Sequence, residues 1–355
     1  MFTAACLLIS AFFVVASRVI DGFANWHVRV ITPILTHTVG RFISLFPFSV
    51  FEIMIYAAVL FVTCGVVFVV YNLIKRNKRN KAHIFSFLWL TTSIVSFLIF
   101  MMTMTLFVNF SRDSISDVLG IEVEMFTNAE LIALTKLIIE RTNAAAIEVY
   151  GDNDRHKPIV LNEIKADSIA AIQALSTEYS GFAGFYSRPK TFFISRFMSY
   201  LGITGVFSPF TLEPNFSNDV EDYIIPFVII HELAHTRGFM REDDANFIAY
   251  LAARDSDNSF IRLSGEMNIL AYALRAVRRT GDIEEYARLR SLVDQRVLNE
   301  FQRNAEHWRR FDTPVARAAT IANDIYLRAN AQQDGVQSYG RVVDLVFALY
   351  RDEIS

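Results

Sequence analysis

Cysteine is nearly absent from this chain. Its 355 residues include two, Cys6 and Cys64, and both fall in apolar stretches near the N-terminus. Residues 111–355 have none, so no disulfide can brace them; core burial and a bound metal must stabilise them instead. A segment of that length can build such a core. An excess of either charge is also lacking. Lys and Arg total 34 against 37 Asp and Glu, a net charge of −3. That balance excludes the basic signature of a nucleic-acid or polyanion partner. The arginine-rich stretches of the last third read as solvated helix faces. Internal repeats and low-complexity segments are missing. Histidine is scarce, seven in all, so a close pair of them is informative.

Charge is absent altogether from Ile84 to Val108. Val50 to Ile74 is a second apolar run whose only acid, Glu52, stands at its edge. Each exceeds the ~20 residues needed to cross a bilayer. Phe2 to Ile20 is a third candidate span, marginal because Arg18 lies near its end. A cleaved signal peptide is the rival for that stretch. No basic region precedes it and no small-residue cleavage site follows before Arg18, which favours a retained helix. The chain is thus expected to divide into a membrane domain, 1–110, with spans near 2–20, 50–74 and 84–108, and an outer domain, 111–355. Between the second and third spans, Lys75-Arg76-Asn77-Lys78-Arg79-Asn80-Lys81 carries five cations in seven residues. Such a cluster marks a cytoplasmic link. Everything after about Asn109 is then expected outside the cytoplasm, as is a loop from Asp21 to Ser49.

His231-Glu232-Leu233-Ala234-His235 carries the chemistry. It is an H-E-x-x-H motif within the apolar run Ile225-Pro226-Phe227-Val228-Ile229-Ile230, which reads as helix, with Pro226 suited to its first turn. Four residues make just over one helical turn, so both histidines share a face and can reach one metal ion. Glu232, beside that face, can take a proton from a water held there. Imidazole nitrogens suit zinc, and a catalytic zinc site uses three protein ligands. Unpaired polar groups among so many apolar residues would be costly, which argues against a chance motif.

A third ligand is available nearby. Thr236-Arg237-Gly238 ends the helix, with Gly238 able to take the left-handed conformation of a C-cap. A second helix follows from Glu242, seven residues beyond His235. Its tight approach can return the Glu242 carboxylate to the metal, with Asp244 as the substitute. Acids are also favoured at a helix N-terminus by the dipole alone, which is the plainer reason for Glu242, Asp243 and Asp244. Asn246, one turn on, is a candidate to hydrogen-bond a ligand's outer atom. Tyr186, Tyr250, Arg237 and Tyr339 are candidates to stabilise an oxyanion or touch substrate. Packing aromatics and a solvated arginine are the plain alternatives.

Around the motif, helices are expected over Thr127–Asn143, with Asn128 as a cap, and over Asn162–Glu178, Ile261–Arg279, Ile283–Arg310, Pro314–Asn330 and Tyr339–Asp352. Tyr179–Pro189 reads as irregular. Lys190–Ser195 and Gly202–Phe207 read as short strands; the latter can pair with an extended substrate as sheet edges do. Pro209 and Pro214 are expected to break regular structure.

His231-Glu232-x-x-His235 followed by Glu242-x-Asp244-Ala245-Asn246 resembles the gluzincin metallopeptidases, whose third ligand is a Glu on a following helix. The Glu-x-acid-Ala-Asn step is also similar to that of a regulatory zinc-peptidase family that cleaves repressors. Over nearly its full length the chain resembles an uncharacterised bacterial membrane family with a domain of unknown function. That likeness rests on Phe46-Pro47-Phe48-Ser49-Val50-Phe51-Glu52, Tyr179 to Tyr186, Gly205-Val206-Phe207-Ser208-Pro209-Phe210-Thr211, His231 to Leu251, Tyr326-Leu327-Arg328-Ala329-Asn330 and Gly335 to Gly340. Asp244 departs from it, since a Glu is usual there; the shorter acid disfavours Asp244 as a ligand.

The fold expected is mainly α: N-terminal transmembrane helices plus a zincin-like α+β metallopeptidase domain with a small sheet. The function expected is a multi-pass zinc metallopeptidase of the cell membrane, its C-terminal domain extracytoplasmic. One Zn2+ per chain is held by His231, His235 and Glu242, and Glu232 is the general base. Its partners are the lipid bilayer and an unidentified peptide or protein substrate. The alternatives are a membrane scaffold or sensor with a structural zinc site, against which an intact Glu232 argues, and a hydrolase of cell-envelope amides.

Overall fold

A computed structural model describes residues 1–75, 78–330 and 340–354. Arg76 and Asn77 of the basic link, Gly335 to Tyr339 and Ser355 lie outside the described residues, as does any role for Tyr339.

Helix accounts for 74% of the chain, so the class is mainly α. The N-terminal helices are α1 (Phe2–Val19), α2 (Phe23–Leu35), α3 (Arg41–Ser44), α4 (Val50–Lys75) and α5 (Lys78–Met102). Among the described residues, three stretches of helix are long and apolar enough to cross a membrane: Phe2–Val19, Val50–Lys75 and Asn80–Ser111. Their large apolar side chains face outward along most of their length, as a lipid-facing helix requires. α1 packs on α5 and α4 on α5.

The stretch between the first two spans, expected as a loop, is helical. α2 buries Ala24, His27 and Thr32 and packs on the end of the third membrane-length stretch, so its one-sided apolar face is covered rather than left free.

The rest of the chain contains α6 (Ile115–Leu119), α7 (Asn128–Tyr150), α8 (Leu161–Ala174), α9 (Ser195–Tyr200), α10 (Ile224–His235), α11 (Glu242–Arg254), α12 (Ser259–Arg279), α13 (Ile283–Ser291), α14 (Gln295–Arg309), α15 (Pro314–Ala329) and α16 (Val342–Ile354). Thr127, not Asn128, caps α7: its hydroxyl accepts from the Glu130 amide while Glu130 returns to the Thr127 amide. The single helix expected over 283–310 is two, because the Asp294 side chain accepts from the Arg296 amide and starts a new helix there.

A three-stranded sheet in the order β1-β3-β2 joins β1 (Lys190–Thr191), β2 (Gly205–Phe207) and β3 (Pro214–Phe216). β3 pairs parallel with β1 and antiparallel with β2. Pro214, expected to interrupt structure, opens β3; the first residue of a strand is a position where proline is tolerated. α10 is buried from end to end, enclosed by α8, α11, α12 and the sheet. Ile229, Ile230, Leu233 and Ala234 are fully buried, which explains why this helix carries no polar face except its motif.

A polar seam joins the two parts of the chain. Glu213, beside β3, is fully buried. Its carboxylate accepts the Val50 amide at 3.0 Å, the Phe51 amide at 2.8 Å and the Thr211 hydroxyl at 2.9 Å. It therefore caps the N-terminus of α4, where bare amides and the helix dipole favour an anion. Ser49 donates to Asn215 Oδ1 at 2.7 Å, and Lys190 Nζ donates to the carbonyls of Phe46 and Phe48. Thr105 also crosses the seam, donating to the Pro209 carbonyl at 2.8 Å, while within the N-terminal part His27 Nδ1 meets Asn109 Oδ1 at 3.1 Å.

Candidate metal centre

α10 and α11 bring His231, His235 and Glu242 together. The turn between them depends on Gly238, whose φ of +80° is left-handed. A Cβ there would also press on Val28 and on Asn109 Nδ2, at 3.1 and 3.2 Å. The turn thus rests on α2 and on the end of the third span. Its orientation is fixed further by Arg112, which donates to the Arg237 carbonyl at 2.9 Å and lies 3.5 Å over the Phe239 ring.

Three ligand-type atoms converge. His231 Nε2 and His235 Nε2 are 3.1 Å apart, and Glu242 Oε2 is 3.1 Å from the first and 3.9 Å from the second. Each histidine has its other nitrogen engaged. His231 Nδ1 meets Asn246 Oδ1 at 2.9 Å, and His235 Nδ1 meets the Phe239 carbonyl at 2.6 Å. Both partners are acceptors, so each Nδ1 carries the proton. In neutral rings both Nε2 atoms then present lone pairs to each other and to a carboxylate oxygen. Such an arrangement is repulsive unless something positive sits between them. Two nitrogens on a tetrahedral zinc are separated by about 3.3 Å, close to the spacing here. The donor set of two imidazoles and a carboxylate, each oriented from behind, fits a divalent metal.

The two histidines are shifted in opposite directions. Burial works against charge on His231, but the hydrogen bond to Glu242 and its charge outweigh it and raise the pKa. Burial, and then the charge of His231, pull His235 down to about 4.

Glu232 lies beside the trio on α10 and is buried. Burial pushes its carboxyl up to about 8, with His231 and the Phe207 amide opposing and Glu242 adding. Its Oε2 has no hydrogen-bond partner among the described residues. A Cβ at Gly205 would collide with Glu232 Oε1, so β2 runs directly over this carboxylate.

Other residues singled out from the sequence have partners of their own. Asp244 turns away from the trio: its oxygens accept from the Ile115 amide at 3.1 Å and from Arg241 Nε at 2.9 Å. Tyr250 pairs with Tyr350 at 2.8 Å beside Glu266. Tyr186 donates to the Phe182 carbonyl at 3.0 Å and lies under Arg237, which donates to the Phe185 carbonyl at 3.0 Å. Each of these last three is held by a packing or loop contact. Asn246 does meet His231, and its Nδ2 donates to the Tyr272 hydroxyl at 3.4 Å.

Tyr272 and Tyr326 are the aromatic residues that sequence reading missed. Burial, and the nearby charge of Glu242, raise Tyr272 to about 12, with Arg275 opposing. The same two causes raise Tyr326. Tyr272 sits mid-helix in α12 with no local mark of chemistry. Tyr326 falls within a stretch that carries the family resemblance, and its ring neighbour is Phe110.

A family model described as "Protein of unknown function (DUF3810)" matches residues 27–347. The chain belongs to this family. The DUF3810 match takes in the second and third membrane-length helices, the polar seam and the whole His-His-Glu cluster. No curated protein and no solved structure matches the chain.

Proposed function

We propose that this DUF3810 chain is a membrane-anchored, zinc-dependent metallopeptidase of gluzincin type, with a zincin-like domain over 111–355 that faces away from the cytoplasm. The observation that carries this reading is the meeting of two histidine lone pairs and a carboxylate oxygen, beside a buried glutamate whose Oε2 has no partner among the described residues. His231, His235 and Glu242 hold the metal. Zinc bound there supplies a Lewis acid and lowers the pKa of water. Glu232 takes a proton from the attacking water and returns it to the leaving amine. Its unusual affinity for a proton suits both halves of that task. Asn246 and the Phe239 carbonyl hold the two imidazoles in the required tautomer. Peptide substrate pairs with the outer edge of β2, the edge that β3 leaves open. The scaffold reading has no use for a base, and Glu232 disfavours it.

The sidedness rests on the cations from Lys75 to Lys81, and reporter fusions at Arg79 and Ser355 should fall on opposite sides. The test of the metal site is elemental analysis of the purified full-length chain. One zinc per chain is expected, sharply reduced in Glu242→Ala and retained in Asp244→Ala. The reverse pattern would sink the ligand set.

A further inference from the structure

The surface next to α4 presents an apolar patch that belongs to no core. α4 begins at Val50, and its lipid-type exposure starts at once, with Ile53 44% exposed. In this first turn stands Glu52, an acid that would be costly at the edge of a span if left bare. Its carboxylate accepts the Phe193 amide at 2.8 Å, the Ile194 amide at 3.0 Å and the Tyr56 hydroxyl. These bonds fix residues 193 and 194 at the level where α4 begins.

The side chains there point away from the protein. Phe193 is 77% exposed and Phe197, in α9, is 55% exposed, while Ser195 between them and Phe192 and Met198 on either side are buried. Phe42 and Leu45, on the chain leading into α4, are 61% and 77% exposed. Single exposed apolar residues need no explanation, but a cluster beside the start of a span does. A soluble partner is not needed to cover it. The patch is continuous with a helix that already requires lipid, and backbone hydrogen bonds hold it there.

We propose that Phe193, Ile194 and Phe197, with Phe42 and Leu45, form a foot embedded in the headgroup–acyl boundary of the bilayer that α4 crosses. The bonds from Glu52 are what plant it. The foot also ties lipid to the candidate site: β1 ends two residues before Phe193, and β2, two strand spacings or about 10 Å from β1, lies over Glu232. The proposal does not depend on the peptidase reading.

The test uses the full-length chain with Trp26, Trp89 and Trp308 changed to Phe. Single tryptophans are introduced as Phe193→Trp, Phe197→Trp and, as a lipid-facing reference, Ile53→Trp. A fourth variant retains Trp308 alone. Each is reconstituted in phosphatidylcholine/phosphatidylglycerol vesicles with and without acyl-chain-brominated phosphatidylcholine. Circular dichroism confirms folding; these exposed positions accept the larger ring. Quenching at 193 and 197 should approach that at 53 and exceed that at 308 several-fold. Quenching no greater than at 308 would overturn the proposal. So would quenching that vanishes as the protein-to-lipid ratio rises, since a second copy would then be covering the patch.

Discussion

Glu213 and Glu232 are both buried glutamates near the ends of helices, and they are treated in opposite ways. Glu213 has both oxygens met, by two amides of α4 and a threonine hydroxyl. Glu232 has one oxygen left without a partner among the described residues, in a site tight enough to raise its proton affinity. Burying a carboxylate with full satisfaction produces a joint; leaving it partly unsatisfied stores reactivity at a cost in stability. The seam and the candidate site are thus distinguished by how completely each carboxylate is answered, not by depth or residue type.

Exchanging each for its amide should split the two. Glu232→Gln retains size but cannot act as a base. Hydrolysis of peptide substrates should fall at least ~100-fold, with zinc content and melting temperature little changed. Hydrolysis equal to wild type in a zinc-loaded protein would leave the metal site standing and remove the peptidase. At the seam, Glu213→Gln offers one acceptor to amides that had two. Thermal melting in detergent should show a loss of about 1–3 kcal/mol, with zinc still bound. An unchanged melting temperature would mean that the cap is ornamental. Tyr250→Phe makes the finest distinction. It removes a hydroxyl that meets Tyr350 and Glu266, so stability should fall by about 1 kcal/mol while turnover stays at the wild-type rate. A large fall in turnover would return Tyr250 to the list of residues that touch substrate.

Local features were legible in the sequence. The membrane-length helices declare themselves by uninterrupted apolar residues, and the His231–His235 spacing sets their common face by helix geometry alone. The left-handed Gly238 and the helix at Glu242 were also readable from turn chemistry. What escaped reading was non-local or short. Glu213 and Val50 are 163 residues apart, and no periodicity links them. β3 has three residues, too few to carry an alternation, and it begins with a proline. α2 was read as a loop because its burial depends on the third span, which lies far along the chain. Tyr272 reaches Asn246 from another helix, so nothing around it in sequence distinguishes it from a packing residue.

The cap on α4 also has a consequence for how the protein is made. Chains emerge N-terminal end first, so α4 is complete long before Glu213 has been synthesised. During that interval the amides of Val50 and Phe51 lack the carboxylate that later binds them, and Glu52 lacks the amides of Phe193 and Ile194. The start of α4 therefore cannot reach its final state from the N-terminal helices alone. Its hydrogen bonds are completed only when residues 190–216 fold back onto it, so the last step for α4 is the folding of the same segment that forms the sheet over Glu232.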